Sequence, residues 1–509
     1  MNIRLAILIS CIVGFVSISM EIIWFSVVGF VSQGHAGIFG LVLSLVLLGI
    51  AGSTRYINKR MDRFEGVEAS QLIIRLLWWA GGVNLIGLPL TAALMTVHVA
   101  FAGLILVNII LVSGFLGCIF PLLCHITIQA VDDRVGRKTS WIYAANIIGA
   151  TTGPLLTGYI LMDHLTVQQI IVSFCIIPVL LALLLSVFLE LRQGQRRRAI
   201  LLSLSILIAA SLSPFVLYER FWEKLRFAEQ FGPDKQFKYL VQDKSGIIAV
   251  ASTPAGDVFY GGGAYDGAIN TDPSDESNLI SRAYMTAALH PAPKKVLMIG
   301  LSTGSWAKVI ADHAGVESFT IVEISTGYLD LVRRYPEVSG ILSDKRVKII
   351  IDDGRRWLKL NREEKFDLIV MNTSFHWREH ITNLLSFEFL SLCKQHLNTG
   401  GVMYWNTTSN PVVVNTACQA FKHVTTYLNF VAASDTPFDM TVDERRQSLL
   451  KFMRDGKPVF EQTEPLKVLL NTYSQWPLND IRDSFLQKDL PFITDANMAS
   501  EYKHRVYKR

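Results

Sequence analysis

Residues 76–124 are 49 consecutive positions without a Lys, Arg, Asp or Glu. A helix needs about 20 apolar residues to cross the hydrocarbon of a bilayer. This run is therefore long enough for two crossings, turning near His98, and too long for a core helix of a water-soluble domain. Further apolar runs lie at 5–31, 37–52, 141–162, 169–189 and 199–218, the last without a single charge. Together they predict seven spans, a multi-pass α-helical membrane bundle over residues 1–218. Half of the 509 residues are hydrophobic, and the excess sits before residue 220. The first run carries no small-residue cleavage site and is followed by more spans, so it is expected to be an anchor and not a removed signal peptide.

The charges between the runs give an orientation. Lys59, Arg60 and Arg63 follow the second span, Arg134, Arg137 and Lys138 the fourth, and Arg192 with Arg196, Arg197 and Arg198 the sixth. The alternate loops hold only His35, His98, Asp163 and His164. By the positive-inside rule the N-terminus of an inner-membrane protein with this pattern is cytoplasmic, and seven spans place the rest of the chain on the far side. The net charge of +5 is modest, and its basic residues read as topology signals and not as nucleic-acid contacts. The lipid bilayer is the partner this half implies. Gly149, Gly153 and Gly158 permit close helix packing. Glu21, inside the first span, is expected to face the bundle and find a partner such as Asn146. The six cysteines form no CxxC pair, so neither a disulfide scaffold nor a zinc site is expected.

The second half reads differently. Residues 219–238 form a polar connector. Short apolar runs with Gly and Asp-Gly turns at 239–272 predict a small antiparallel β-subdomain, and 274–289 an amphipathic helix, closing that region at 290. Residues 291–435 follow as a nucleotide-binding domain, then 436–509 as a helical extension and lid. Within 294–356, apolar strands at 296–299, 319–322 and 347–351 alternate with helical runs. The first ends in the turn Gly300-Leu301-Ser302-Thr303-Gly304, the second in Glu323, the third in Asp352-Asp353-Gly354. Glycines let a ligand approach the backbone, and an acid ending the second strand can accept ribose hydroxyls. The turn is not Gly-x-Gly-x-x-Gly, and a nucleoside thioether fits it better than a dinucleotide. A fourth strand at 366–371 runs into MNTSFHWREHITN, where His376, Trp377, Arg378 and His380 reach the carboxyl edge of the sheet. Residues 384–396 and 415–427 predict helices. His376 and His380 stand four apart, but no third ligand accompanies them, so no metal is expected.

With GGGAYDGAIN at 261–270, HPAPKKVLMIG at 290–300 and LNTGGVMYWN at 397–406, this half resembles the spermidine synthases, over about residues 246–410. The membrane half, with GCIFPLLCHI and DDRVGRKTSWIYAANIIGATTGPLLTG, resembles the bacterial members of that family fused to a transporter-like bundle. The resemblance implies a Rossmann-like doubly wound α/β sheet of the S-adenosylmethionine-methyltransferase-like class, with the β-subdomain ahead of it. It implies a polyamine-related transferase using S-adenosylmethionine or its decarboxylated form, held by Gly300, Ser302, Gly304, Glu323, Asp352 and Asp353. The acceptor, an amine or another small molecule, falls to Tyr265, Asp266, Asn270, Trp377 and Arg378. Homo-oligomerisation is left open.

The chain also departs from the family pattern. Asn372 stands where the family has the Asp that takes a proton from the attacking amine, and Phe375 where it has a second Asp. Ser302, Thr303 and Ser305 replace an acid-containing part of the glycine loop, and the Tyr-Gln pair that helps hold the amine is missing. Asn cannot accept a proton at neutral pH, so His376 or His380 is the candidate base, Arg378 a clamp for carboxylate or phosphate, and Trp377 an aromatic wall. Two rivals remain: a transporter-like membrane protein whose second domain senses a nucleoside or polyamine without catalysis, and a pseudoenzyme. Far-side placement also sits poorly with an adenosyl cofactor, which is ordinarily cytosolic.

Overall fold

The structure is a computed structural model describing residues 1–64, 66–128, 134–189, 191–254, 256–372 and 375–502. Thr373 and Ser374 of the MNTSFHW loop, and positions 129–133, lie outside the described residues. The chain divides into two compact units. One holds Met1–Gln33, Gly37–Phe237 and Gln242–Gly246; the other holds Gly34–Ala36, Lys238–Val241 and everything from Ile247 onward.

The first unit is helical. Six helices among the described residues are long and apolar enough to cross a membrane: Ile3–Val31, Ile38–Asn58, Val67–Met95, Val99–Thr127, Val167–Phe188 and Gln193–Val216. The remaining expected segment, 141–162, folds as the helix Val135–Leu156, continued by a π turn at Thr157–Leu161. It is not one of the six, because Arg137, Lys138, Thr139, Ser140, Asn146, Thr151 and Thr152 dilute its apolar content. Its glycines explain how it packs. A Cβ on Gly149 would sit 1.9 Å from the Cys11 carbonyl oxygen, and one on Gly153 2.5 Å from that of Phe15. Only glycine lets these backbones touch, whereas Gly158 meets nothing closer than 3.6 Å. Asn146 does not serve Glu21; its Nδ2 donates to the Ser10 carbonyl at 3.0 Å.

The second unit opens with a four-stranded sheet in the order β1 (Phe237–Asp243), β2 (Gly246–Thr253), β3 (Gly256–Gly261), β4 (Ala264–Ala268). This is the expected β-subdomain. The helix expected at 274–289 is broken into a 3-10 turn at Glu276–Asn278 and two short pieces, Ser281–Tyr284 and Thr286–Leu289. A seven-stranded sheet follows, built from β5 (Lys295–Ile299), β6 (Ser318–Glu323), β7 (Val347–Ile351), β8 (Phe366–Met371), β9 (Leu397–Asn406), β10 (His423–Tyr427) and β11 (Phe430–Ser434). Its order is β10-β11-β9-β8-β5-β6-β7. The central strands run parallel, and β11 lies antiparallel to both β9 and β10.

Alternate residues of β5 feed two apolar cores, one on each face of the sheet: Val296 and Met298 on one side, Leu297 and Ile299 on the other. Burial on both faces is why these strands read as unbroken apolar runs. The helix expected at 415–427 is in fact the helix Pro411–Ala420 followed by β10. Its β-branched end, His423-Val424-Thr425-Thr426-Tyr427, pairs with β11 and so folds as a strand.

Candidate active site

Strand register sets the site. Ile299 pairs with Val322 and Met371, Glu323 with Ile351, and Met371 with Trp405. Gly300, Glu323, Asp352, Asn372 and Asn406 therefore share the carboxyl edge of one parallel sheet, where ligands bind in open α/β folds.

The turn after β5 owes its shape to left-handed backbone. Gly300 has φ +88° with open space where a Cβ would stand, so a ligand can approach the main chain there. Gly304 has φ +79°, and a Cβ on it would come within 3.0 Å of Val332 Cγ2. Ser302 adopts φ +49°, and its Oγ donates to the Asp266 carbonyl at 2.9 Å. Glu323 is 3% exposed. Its Oε2 accepts from Leu301 N at 2.6 Å and its Oε1 from Ser325 N at 2.9 Å, so one carboxylate ties the glycine turn to the end of β6. Burial pushes this carboxyl above the ordinary carboxylate range, while the two amide donors work to keep it charged.

Asp352 accepts from Arg356 Nη1 at 2.6 Å. Asp353 Oδ1 accepts from Arg356 N at 2.7 Å and caps the helix Gly354–Leu360. The neighbouring Arg355 donates to the Asn383 carbonyl at 3.0 Å and pairs with Asp495, which fastens the Thr494-Asp495 tail to this rim.

Asp266, at the end of the β-subdomain, turns toward this turn as well. Its Oδ2 accepts from Tyr328 Oη at 2.5 Å, and burial, with Asp266 beside it, holds that phenol protonated. Tyr265 is exposed and bonds Asn278 Oδ1 at 3.2 Å. Asn270 is buried and braces its surroundings: N donates to Ser305 Oγ at 3.1 Å, Nδ2 to the Asp275 carbonyl at 2.5 Å, and Oδ1 accepts from Asp272 N at 2.7 Å.

Beyond β8, Asn372 Oδ1 accepts from Asn406 Nδ2 at 3.5 Å. Asn406 Oδ1 accepts from Asn429 Nδ2 at 2.9 Å, and Asn429 Oδ1 from Arg282 Nη1 at 3.0 Å. His376 Nδ1 lies 2.6 Å from Thr408 Oγ1. Thr408 (φ +51°) and Ser409 (φ +59°) are left-handed in succession, a conformation that β-branched residues avoid. Trp377 is nearly buried and stacks on Phe375 at 5.3 Å. Arg378 Nη2 donates to the Gly261 carbonyl at 3.0 Å. His380 is largely exposed with φ +65° and pairs with Glu379 at 3.5 Å. The structure thus brings His376, Asn372 and the turn of Gly300 to one edge, while His380 stands out in solvent. No group of three metal-ligating side chains occurs among the described residues.

Sequence reasoning missed Arg282, Asn406, Thr408, Asn429 and Tyr328. The polar run Asn406-Thr407-Thr408-Ser409-Asn410 after an apolar strand was a signal for two of them. Asn429 lies in the tight turn between β10 and β11, past the end of the helix expected at 415–427, and nothing in the sequence marks Arg282 as buried.

The fold places the second unit in the S-adenosylmethionine-methyltransferase-like class of doubly wound domains. Within it, residues 281–438 match the family model described as "Spermine/spermidine synthase domain", and the C-terminal region carries that domain. Curated relatives include a polyamine aminopropyltransferase of Agathobacter rectalis, 34% identical over 28% of this chain and 50% of its own, and one of Erwinia tasmaniensis, 29% identical over 36% and 64%. The chain thus spans between half and just under two thirds of these relatives' length. Among solved structures, the spermidine synthase of Thermotoga maritima aligns at 22% identity over 50% of this chain and 88% of its own, with a TM-score of 0.38.

Proposed function

We propose that the chain is a membrane-bound transferase of the spermidine-synthase type, taking its transferred group from S-adenosylmethionine or the decarboxylated form. The observation that carries this reading is the Glu323 carboxylate bonded to the amide of the glycine turn, beside open space at Gly300. This arrangement suits a ribose on the carboxylate and a nucleoside along the turn, with Asp352 and Asp353 at the adenine end. The bound sulfonium supplies the electrophile: the acceptor nitrogen takes its carbon, and the C–S electron pair goes to sulfur. The chain's part is to orient both substrates and remove the nitrogen's proton. Asn372 cannot take that proton, so His376, held by Thr408 at the same edge, is the base. The helical unit supplies the bilayer anchor with a cytoplasmic N-terminus. Six crossings return the chain to its starting side, and seven leave the catalytic domain on the far side. A reporter fused to the C-terminus decides between them.

Calorimetry on the full chain with S-adenosylmethionine, its decarboxylated form and methylthioadenosine tests the ligand class, and Glu323→Ala is expected to abolish binding. Binding without turnover of any amine would favour a sensor. Unchanged affinity in Glu323→Ala would remove the ribose role.

A further inference from the structure

Polyamine acceptors are cations, and a site for them should offer carboxylates. The interior behind Asn372 offers the opposite. Arg282 is 8% exposed and makes no ion pair among the described residues, with the Glu276 carboxylate acting on it only from longer range. Nε donates to the Leu279 carbonyl at 2.9 Å, Nη2 to the Asn278 carbonyl at 2.9 Å, and Nη1 to Asn429. A guanidinium has five N–H groups, so two remain after these bonds. The guanidinium lies over the Phe430 ring at 4.9 Å and the Trp306 ring at 5.8 Å. Trp306 stacks on Phe430 at 5.0 Å, and Tyr404 packs against Phe430 at 4.9 Å.

Two members of this cluster carry a polar atom with no hydrogen-bond partner among the described residues: Trp306 Nε1 (residue 3% exposed) and Tyr404 Oη (0%). A buried donor without a partner is costly and calls for explanation. Here two of them accompany a buried cation that has no carboxylate in direct contact, only Glu276 at longer range. The cluster is not remote from the proposed chemistry. Trp306 lies two residues past Gly304, and Arg282 leads through Asn429 and Asn406 to Asn372.

We propose that Arg282, Trp306 and Tyr404 form a carboxylate-recognition site beside the transfer centre, so that one of the two substrates is a carboxylate-bearing molecule. This rests on the transferase reading given above. The carboxylate comes either from the donor, as intact S-adenosylmethionine, or from the acceptor, as an amino acid in place of a diamine. Recognition by buried donors rejects a ligand lacking the matching group, because those donors are then left unpaired.

Two ligand pairs, each differing by one carboxylate, separate the sources: S-adenosylmethionine against its decarboxylated form, and ornithine against putrescine. Binding is measured on the full chain in detergent, with methylthioadenosine present for the second pair. Wild type is expected to favour the carboxylated member of one pair by at least about tenfold, as one charge-assisted hydrogen bond implies, and that pair identifies the source. The preference should collapse in Arg282→Gln and fall in Tyr404→Phe, a variant that keeps the ring packing. Equal affinities within both pairs, or a preference that survives in both variants, overturns the proposal. Absence of methylthioadenosine binding to wild type would remove the nucleoside reading instead, and the ornithine–putrescine pair, run alone, would still read the carboxylate site.

Discussion

His313 is the sharpest place to test how the C-terminal extension supports the glycine turn. It lies just beyond the helix Ser305–Ala311, which starts at Gly304. It is 2% exposed, and its ring packs edge-on against Phe452 at 4.9 Å. Nδ1 accepts from Gly315 N at 3.2 Å, so the proton is on Nε2, which donates to the Ser448 carbonyl at 3.1 Å. Flanking backbone bonds, Ala314 N to Lys451 O at 2.8 Å and Met453 N to Asp312 O at 2.9 Å, complete the seam. Burial pulls this imidazole from 6.5 down to about 4. The folded seam therefore binds fewer protons than the opened one between those values, and its stability is full above pH 6.5 and lost as pH falls toward 4. Between pH 7 and pH 4.5 the loss is about 2.4 kcal/mol, a roughly 60-fold rise in opening. Amide hydrogen exchange of the segment 442–475, corrected for the intrinsic rate at each pH, measures it. His313→Gln, which cannot titrate, is expected to lose the pH dependence. If wild type and His313→Gln lose protection equally over that range, the seam does not depend on a neutral His313.

Three other outcomes follow from single contacts. Thr408→Gly removes the hydroxyl from His376 and also relieves a left-handed β-branched residue, a strain of order 1–2 kcal/mol. Transfer is expected to fall about tenfold while the melting temperature does not, and an unchanged rate would show that Thr408 does not position the base. Gly304→Ala combines that backbone penalty with crowding against Val332 and is expected to destabilise by about 2–3 kcal/mol in chemical unfolding; a loss under about 0.5 kcal/mol would contradict the turn geometry. In the helical unit, Gly149→Ala should lower the detergent melting temperature markedly and Gly158→Ala hardly at all, because only the first forces backbones apart; equal effects would contradict the packing.

The fold was legible where burial is two-sided. Strands β5, β6 and β8 announced themselves as apolar runs, β7 reads as one although it is an edge strand with Lys348 and Ile351 exposed, and glycines and strand-end acids marked the boundaries. It was less legible where local pattern and tertiary context disagree. The segment 274–289 has an amphipathic pattern but breaks at Leu279, which takes φ +48°. The segment Val135–Leu156 looked like the other long helices, and only its polar residues separate it from the six. The end of the predicted helix at 415–427 belongs to the β10–β11 hairpin, whose edge position depends on pairing with a strand from elsewhere in the chain.

The site divides along the same line. Its proposed nucleoside side comes from one contiguous stretch, so Gly300, Gly304, Glu323 and Asp352 were readable as a spaced motif. Its proposed acceptor side is assembled from residues 282, 372, 406 and 429, which no local pattern joins. The sequence therefore exposed a loss, Asn372 in place of a base and no carboxylates for a diamine, but not what replaced it. A lone Arg on a short helical turn reads as a solvated charge, and Tyr404 and Trp306 read as core. The structure joins them: Asn372 is linked through Asn406 and Asn429 by hydrogen bonds to a buried Arg282. Had the acids merely been lost, a neutral apolar pocket would suffice, and burying a guanidinium there would be a net penalty. Its presence next to two unpartnered donors fits the carboxylate-recognition site proposed above better than a diamine site that has simply lost its acids.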